Sequence, residues 1–198
     1  NGWLWGLITL DSMKYNIPAG SSYTRTEMIK KILSFQLPDD GFNLRFAQGS
    51  TADPDITAMA IQALAPYYRN ATFNVKDPVD KALDCLSKLQ LDTGDFRSWG
   101  TRNSESVSQI IVSLCSIGVD PQNDSRFIKN GINLLDALFY YQQEDGGFAH
   151  SYESDPGNPS AIPGESNSIA TDQALLALVA VWRQAQGMSI LYDFRPGS

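Results

Sequence analysis

Hydrophobic residues recur along this chain in two kinds of helical run. The first kind is apolar all round. From Ile56 to Tyr68 no charge occurs; Ile56, Met59, Ala60, Ala63, Leu64 and Tyr67 fall at helical spacing, and Ala58, Ile61, Ala65 and Tyr68 fill the other side. A helix without a polar face is buried on every side. Asn1–Leu10 and Ser106–Val119 are likewise uncharged, and Ser166–Trp182 carries only Asp172. These segments predict four buried helices.

The second kind is one-sided. Ile29, Ile32, Leu33 and Phe35 form an apolar stripe with Lys30, Lys31 and Ser34 facing away, and Val79, Ala82, Leu83, Leu86 and Leu89 do the same against Asp80, Lys81, Asp84 and Lys88. Such helices bury one face and wet the other. Alternation of the two kinds predicts two concentric layers, an inner ring wrapped by an outer one. Hairpin connections make successive helices antiparallel, so the inner helices run parallel and their N-termini gather on one rim. The predicted inner helices are about Trp3–Tyr15, Pro54–Tyr68, Ser104–Ile117 and Asn167–Ala185. The outer ones are about Thr24–Gln36, Pro78–Gln90 and Ser125–Gln142. Asp53 suits the N-cap of the second inner helix, Pro54 its first position, and Asp55 its first turn. Long loops join the layers at Leu37–Ala52 and Asp145–Gly164, the latter rich in turn formers.

The outer helices end alike. Gln36, Gln90 and Gln142, spaced 54 and 52 positions apart, are each followed by a glycine turn and, after six positions, by Phe42, Phe96 and Phe148. The glutamine amide is placed to reach unpaired carbonyls or the next loop, and the aromatic to plug the gap between layers. A unit of this kind needs neighbours to bury its faces.

These Gln-x5-aromatic endings resemble the repeats of squalene and hopene cyclases, and the DPDITA run at Asp53–Ala58 resembles the acid motif of those enzymes. The WLWGLITLDSMKYNIP, DPDITAMAIQALAPYY and NSESVSQIIVSL blocks are similar to prenyltransferase-like repeat domains of bacterial surface or secreted proteins, related in fold to transcobalamin and intrinsic factor. The resemblance implies an all-α fold, an α/α toroid of about six helix pairs when complete. The roughly seven helices here predict an open crescent, a single domain over 1–198 expected to be part of a longer exported protein, whose free edges could pair with a partner, a second copy or a missing domain.

Composition narrows the partners. The chain has 198 residues and a formal net charge of -7, with no basic patch, which disfavours nucleic acid and anionic membrane surfaces. No uncharged run is long enough to span a bilayer. Cys85 and Cys115 lie outside any C-x-x-C spacing and read as buried thiols, with a single bridge open if the chain is exported.

Three functions follow. In the cyclases the resemblance points to, the middle aspartate of the motif is the acid; Asp55 takes that position here, but Ile56 replaces the following aspartate and the one histidine, His150, lies in a distant loop, where it reads as an ordinary loop residue. Asp55 is therefore a candidate general acid of a partial terpene cyclase, set against capping and dipole roles for Asp53 and Asp55. Trp3, Trp5, Tyr67, Tyr68 and Trp182 are candidates to line a cavity or to form core. The zinc set of protein prenyltransferases, the thioester run, a P-loop and a dinucleotide turn are missing, so no metal or cofactor is expected. A calcium site built from Asp39, Asp40 or the Asp145 loop matches no recognised spacing. The favoured function is a non-catalytic binding module taking a small molecule, glycan or protein at the inner N-terminal rim, around Asp53, Asp55, Glu105, Glu165 and Asn167, with Asp172 the lone charge of the inner layer, either facing a wet cavity or paired. A cobalamin carrier is the third alternative.

Overall fold

The computed structural model describes residues 1–44 and 49–195. Seven α-helices alternate between two layers: inner α1 (Gly2–Ser12), α3 (Pro54–Leu64), α5 (Ser104–Ile117) and α7 (Ser168–Ala185), and outer α2 (Arg25–Leu33), α4 (Lys76–Leu89) and α6 (Leu134–Phe139). The inner helices pack in the order α1, α3, α5, α7, and each outer helix covers the inner helix of its own pair. They run parallel. Tyr67, just beyond α3, donates to Asp11 at the end of α1 (2.6 Å), and Gln184 near the end of α7 donates to the Val119 carbonyl just beyond α5 (3.0 Å). The fold is an all-α toroid segment, a crescent of two layers.

Burial follows the two kinds of run. In α5 every residue except Glu105 is buried. The outer helices bury single stripes, Met28, Ile29 and Ile32 in α2 and Val79, Ala82, Leu83 and Leu86 in α4. The two end inner helices depart from the expectation of burial on all sides: α1 buries only Leu4, Leu7, Ile8 and Ser12, and α7 a single face. In α7, Ala170, Ala174, Ala177 and Ala180 are buried, while Ile169, Leu175, Leu176 and Trp182 are exposed, Leu175 to 58% and Trp182 to 57%. Helix α7 is the last inner helix of the row, and no described residue covers its far flank. Asp172 lies on the exposed side and makes no hydrogen bond or ion pair among the described residues.

The outer third element also departs from the sequence reading. In place of one helix over Ser125–Gln142 there is a 3-10 turn at Ser125–Phe127, a tight turn, then α6. Asn130 and Gly131 both adopt positive φ (52° and 81°), which a helix cannot contain, and Asn133 restarts the helix through a capping box with Asp136. A short hairpin, β1 (Arg97–Ser98) and β2 (Thr101–Arg102), interrupts the loop before α5. Both cysteines are buried free thiols, pushed up by burial to about 11 for Cys85 and about 12 for Cys115.

The repeated glutamines stitch one pair to the next. Gln36 Nε2 donates to the Asp40 carbonyl of its own turn (2.7 Å) and to the Pro78 carbonyl of α4 (2.9 Å). Gln90 Nε2 donates to the Gly94 carbonyl (2.8 Å) and to the Phe127 carbonyl before α6 (3.1 Å). Each turn carries a positive φ at the same place, Asp40, Gly94 and Gly146. At Gly94 a Cβ would also lie 2.8 Å from Ile132, so glycine is required twice over. Phe42, Phe96 and Phe148 fill the space between layers, all buried. Gln142, by contrast, is exposed and its amide bonds to no described group; among the described residues no outer helix lies beside it in the position that α4 and the Phe127 turn hold for Gln36 and Gln90.

The stitch predicts a contrast. Gln90→Ala leaves two buried carbonyls without a donor and should cost about 2–3 kcal/mol of unfolding free energy in urea titration. Gln142→Ala should cost less than about 0.5 kcal/mol. Equal losses would show that the amides do not join the repeats.

Candidate functional site at the inner-helix N-termini

The rim forms where each loop is tied to the start of an inner helix. The Phe42 carbonyl accepts from Asp53 N (2.8 Å) and Phe42 N donates to Thr57 Oγ1 (2.9 Å); the Phe148 carbonyl accepts from Asn167 N (2.9 Å) and Phe148 N donates to Thr171 Oγ1 (2.9 Å). Repeat geometry thus sets Asp53 and Asn167 at equivalent N-caps. Asp53 is buried; its Oδ1 accepts from Ile56 N (3.0 Å) and its Oδ2 from Ser98 Oγ on the hairpin (2.7 Å). Asn103 caps α5 through Ser106 N (2.7 Å), and Asn167 caps α7 through Ile169 N and Ala170 N. The capping role read for Asp53 is what the structure shows.

Asp55 sits in the first turn of α3. Its Oδ1 is sealed from solvent and has no hydrogen-bond partner, and the neighbouring Ser106 hydroxyl is sealed and unpartnered as well. Burial, and then the charge of Asp53, push the Asp55 carboxyl up to about 6; the Ser106 and Ser98 hydroxyls pull the other way, and Glu105 adds to the rise. The helix dipole favours its anion, so desolvation is the stronger effect here.

Glu105 in the first turn of α5 is held by His150. The imidazole Nδ1 lies 2.8 Å from Glu105 Oε1 and its Nε2 lies 3.0 Å from Asp155 Oδ2. His150 is buried, and its backbone carbonyl accepts from Ser104 N (3.0 Å). Burial lowers its basicity, but the Glu105 and Asp155 carboxylates outweigh that, so the imidazole stays protonated above its ordinary range. The reading of His150 as an ordinary loop residue is corrected. The long loop folds back to set it on the α5 N-terminus, where an ion pair between two carboxylates repays its burial. Nothing in the local pattern signalled this, nor the approach of Ser98 and Asp155. A further buried carboxylate lies beneath the rim. Asp95 accepts from Tyr141 Oη (2.6 Å) and from Arg102 Nη2 (2.7 Å).

The other candidates stand apart. Glu165 is exposed and Asp172 lies on the open flank of α7; no hydrogen bond or ion pair among the described residues joins Glu165, Asn167 or Asp172 to Asp53, Asp55 and Glu105. Asp39 accepts from Gly41 N and Ala52 N, and Asp145 from Gly147 N and Ser166 Oγ, so both serve as turn caps. Among the described residues no group of three or more His, Cys, Asp or Glu side chains is arranged to hold a metal ion. Among the aromatics, Trp3 lines a small cavity of about 170 Å³ with Phe35 and Phe42, while Tyr67 lines a larger one of about 740 Å³ at the opposite rim. Asp55 lines neither cavity.

Parallel inner helices, an outer sheath and an acid at an inner N-terminus define a terpenoid-cyclase-type α/α toroid. The model of the squalene-hopene cyclase C-terminal domain family matches residues 34–190, and the chain belongs to that family. No curated protein matches the chain. No helix among the described residues is long and apolar enough to cross a membrane.

The buried carboxyl gives a pH signature. With a folded value of about 6 against 3.8 for a free aspartate, Asp55 binds its proton more tightly in the folded state. Its contribution is whole below pH 3.8 and is lost as the pH rises through about 6, at a cost on the order of 3 kcal/mol. Asp55→Asn should therefore gain stability relative to the parent as the pH rises from 4 to 7 in thermal melts. A difference that stays flat with pH would show Asp55 to be an ordinary carboxylate. The raised His150 contributes in the same direction but only above its ordinary 6.5, so His150→Gln should remove a separate loss at higher pH.

Proposed function

We propose that this chain is a non-catalytic interaction module, a terpenoid-cyclase-type crescent whose free edge takes a further helical surface of the same kind. What carries the reading is the unfinished side of the crescent. Leu175 and Trp182 stand in solvent on α7, and the side-chain amide of Gln142, the counterpart of two stitching glutamines, donates to no described group. Gln173 tells the same story. Gln62 Nε2 donates to Gln109 Oε1 (3.0 Å), Gln109 Nε2 donates to Gln173 Oε1 (2.9 Å), and the Gln173 amide has no described acceptor. A side-chain ladder through three inner helices ends open where the next would stand. An apolar helix flank with unspent donors beside it suits a partner helix. The N-terminal rim is the module's second face, its Asp53, Asp55 and Glu105 already committed to the α3 cap, to burial and to His150. Placement at a cell surface rests on the family resemblance of the sequence blocks.

Without its partner, the flank should pair with itself. The purified chain should self-associate at tens of micromolar in sedimentation equilibrium, and Leu175→Glu with Trp182→Glu should return it to monomer with its melting temperature kept within a few degrees. A parent that stays monomeric at that concentration defeats the reading.

A second reading is favoured by one observation, the raised carboxyl of Asp55 at the position of the cyclase acid. An acid that protonates an alkene needs a dry pocket at its oxygen, and Asp55 lies under neither cavity named above. Incubation with squalene should give no cyclised product; product formed by the parent and lost in Asp55→Asn would establish the enzyme instead.

A further inference from the structure

We propose that the cleft between the chain's return from α7 and the C-terminal ends of α3 and α5 binds a medium-chain aliphatic carboxylate, with Arg69 as its counter-ion. The site uses neither the N-terminal rim nor Leu175 and Trp182, and it does not rest on the interaction reading given above.

The cleft is built by the end of the chain. After α7 the backbone turns at Gly187 and crosses the ring to α1, where Phe194 N donates to the Ser12 carbonyl (2.8 Å) and Tyr192 meets Trp5 edge to face at 5.8 Å. Between this strap and the ends of α3 and α5 lies a space of about 520 Å³, within the range of sites that take small ligands. Pro66, Ile117, Met188, Ile190 and Leu191 form its apolar side. Met188 is exposed to 42%, so an aliphatic chain laid along the strap would cover apolar surface that now meets water.

The polar side says what head group fits. Tyr68 Oη donates to Asp80 (2.6 Å), Ser116 Oγ to the Val112 carbonyl (2.7 Å) and Gln184 Nε2 to the Val119 carbonyl (3.0 Å), and Ser189 Oγ accepts from Arg183. The Cys115 thiol is kept neutral by burial. Arg69 is left over. It is the one charged side chain in this wall, and it makes no hydrogen bond or ion pair among the described residues. Asp77 and Asp80, which share a neighbouring cleft with Arg69, pair with Lys81 and Lys76; Asp120 accepts from Gln122 N and Asn123 Nδ2. Arg69 is exposed at the mouth, and its Nη2 lies 3.1 Å from where a Cβ on Gly118 would stand. Gly118 ends α5 at φ 80°, and its bare Cα lets the guanidinium settle over the helix C-terminus. About half a negative charge resides there, which holds the guanidinium in place without cancelling it. A carboxylate completes the charge and meets the guanidinium fork with two parallel hydrogen bonds. A neutral head group does neither.

The test follows the methionine methyl signals of methyl-labelled protein by NMR as sodium octanoate or octanol is added. Met188 is the one methionine in the wall of this cleft, so its signal reports the site directly. Octanoate should move it with an apparent Kd about tenfold below that of octanol. Arg69→Gln, a change at an exposed position, should raise the octanoate Kd about tenfold and leave that of octanol unchanged. Arg69→Lys should recover part of the loss, since it restores the charge without the fork. A Met188 signal that octanoate leaves in place overturns the proposal. So does equal binding of octanoate and octanol, or an Arg69→Gln protein that binds octanoate as the parent does. Leu175 and Trp182 take no part in this readout, so it stands apart from self-association.

Discussion

Helix α5 has almost no face to give to water, and the architecture is the answer to that constraint. An uncharged helix must be covered on both flanks and on its back; α3 and α7 supply the flanks and α6 the back. Burial of this extent drives the packing far more than helix propensity does. The same need, applied to α7, is met only on the alanine side that faces α5. The exposed Leu175 and Trp182 are the unmet part of the constraint, and the proposal of an interface at this edge rests on them.

Polar groups fix how successive repeats sit against one another. Each stitching glutamine spans its own turn and the next pair, so its amide is satisfied only when the following repeat is in place. The ladder from Gln62 through Gln109 to Gln173 does the same on the inner helices. Directional bonds of this kind add register to a core that hydrophobic packing alone would leave free to slide.

The two rims carry opposite electrostatic characters. At the N-termini, aligned dipoles draw in carboxylates, yet Asp53, Asp55 and Glu105 crowd one another, and the crowding is relieved by pairing His150 with Glu105 and by raising Asp55. At the other rim Arg25 pairs with Asp11, and Lys14, Asp193 and Arg195 share the wall of the same cavity. The inner helices thus carry a sealed carboxyl at one end and the larger cavity at the other.

Most of the layering was legible in the sequence because it rests on local periodicity. The charge-free runs, the Asp53 cap with Pro54, Gly118 ending α5, and the Gln-x5-aromatic turns each involve residues within a few positions of one another. The break in the third outer element at Asn130–Gly131 escaped because apolar spacing runs on through a turn that only backbone geometry reveals. The site was less legible. Glu105 and His150 stand 45 positions apart, Gln62 and Gln109 47, and Phe194 returns to Ser12 across the whole chain. Sequence by itself determined which helices must be buried and where they start, since a side chain's polarity and a cap's geometry act within one turn. Tertiary structure alone decided which charges meet, which flank stays open and where the cavity lies, because those depend on how far-separated segments are brought together when the apolar faces close.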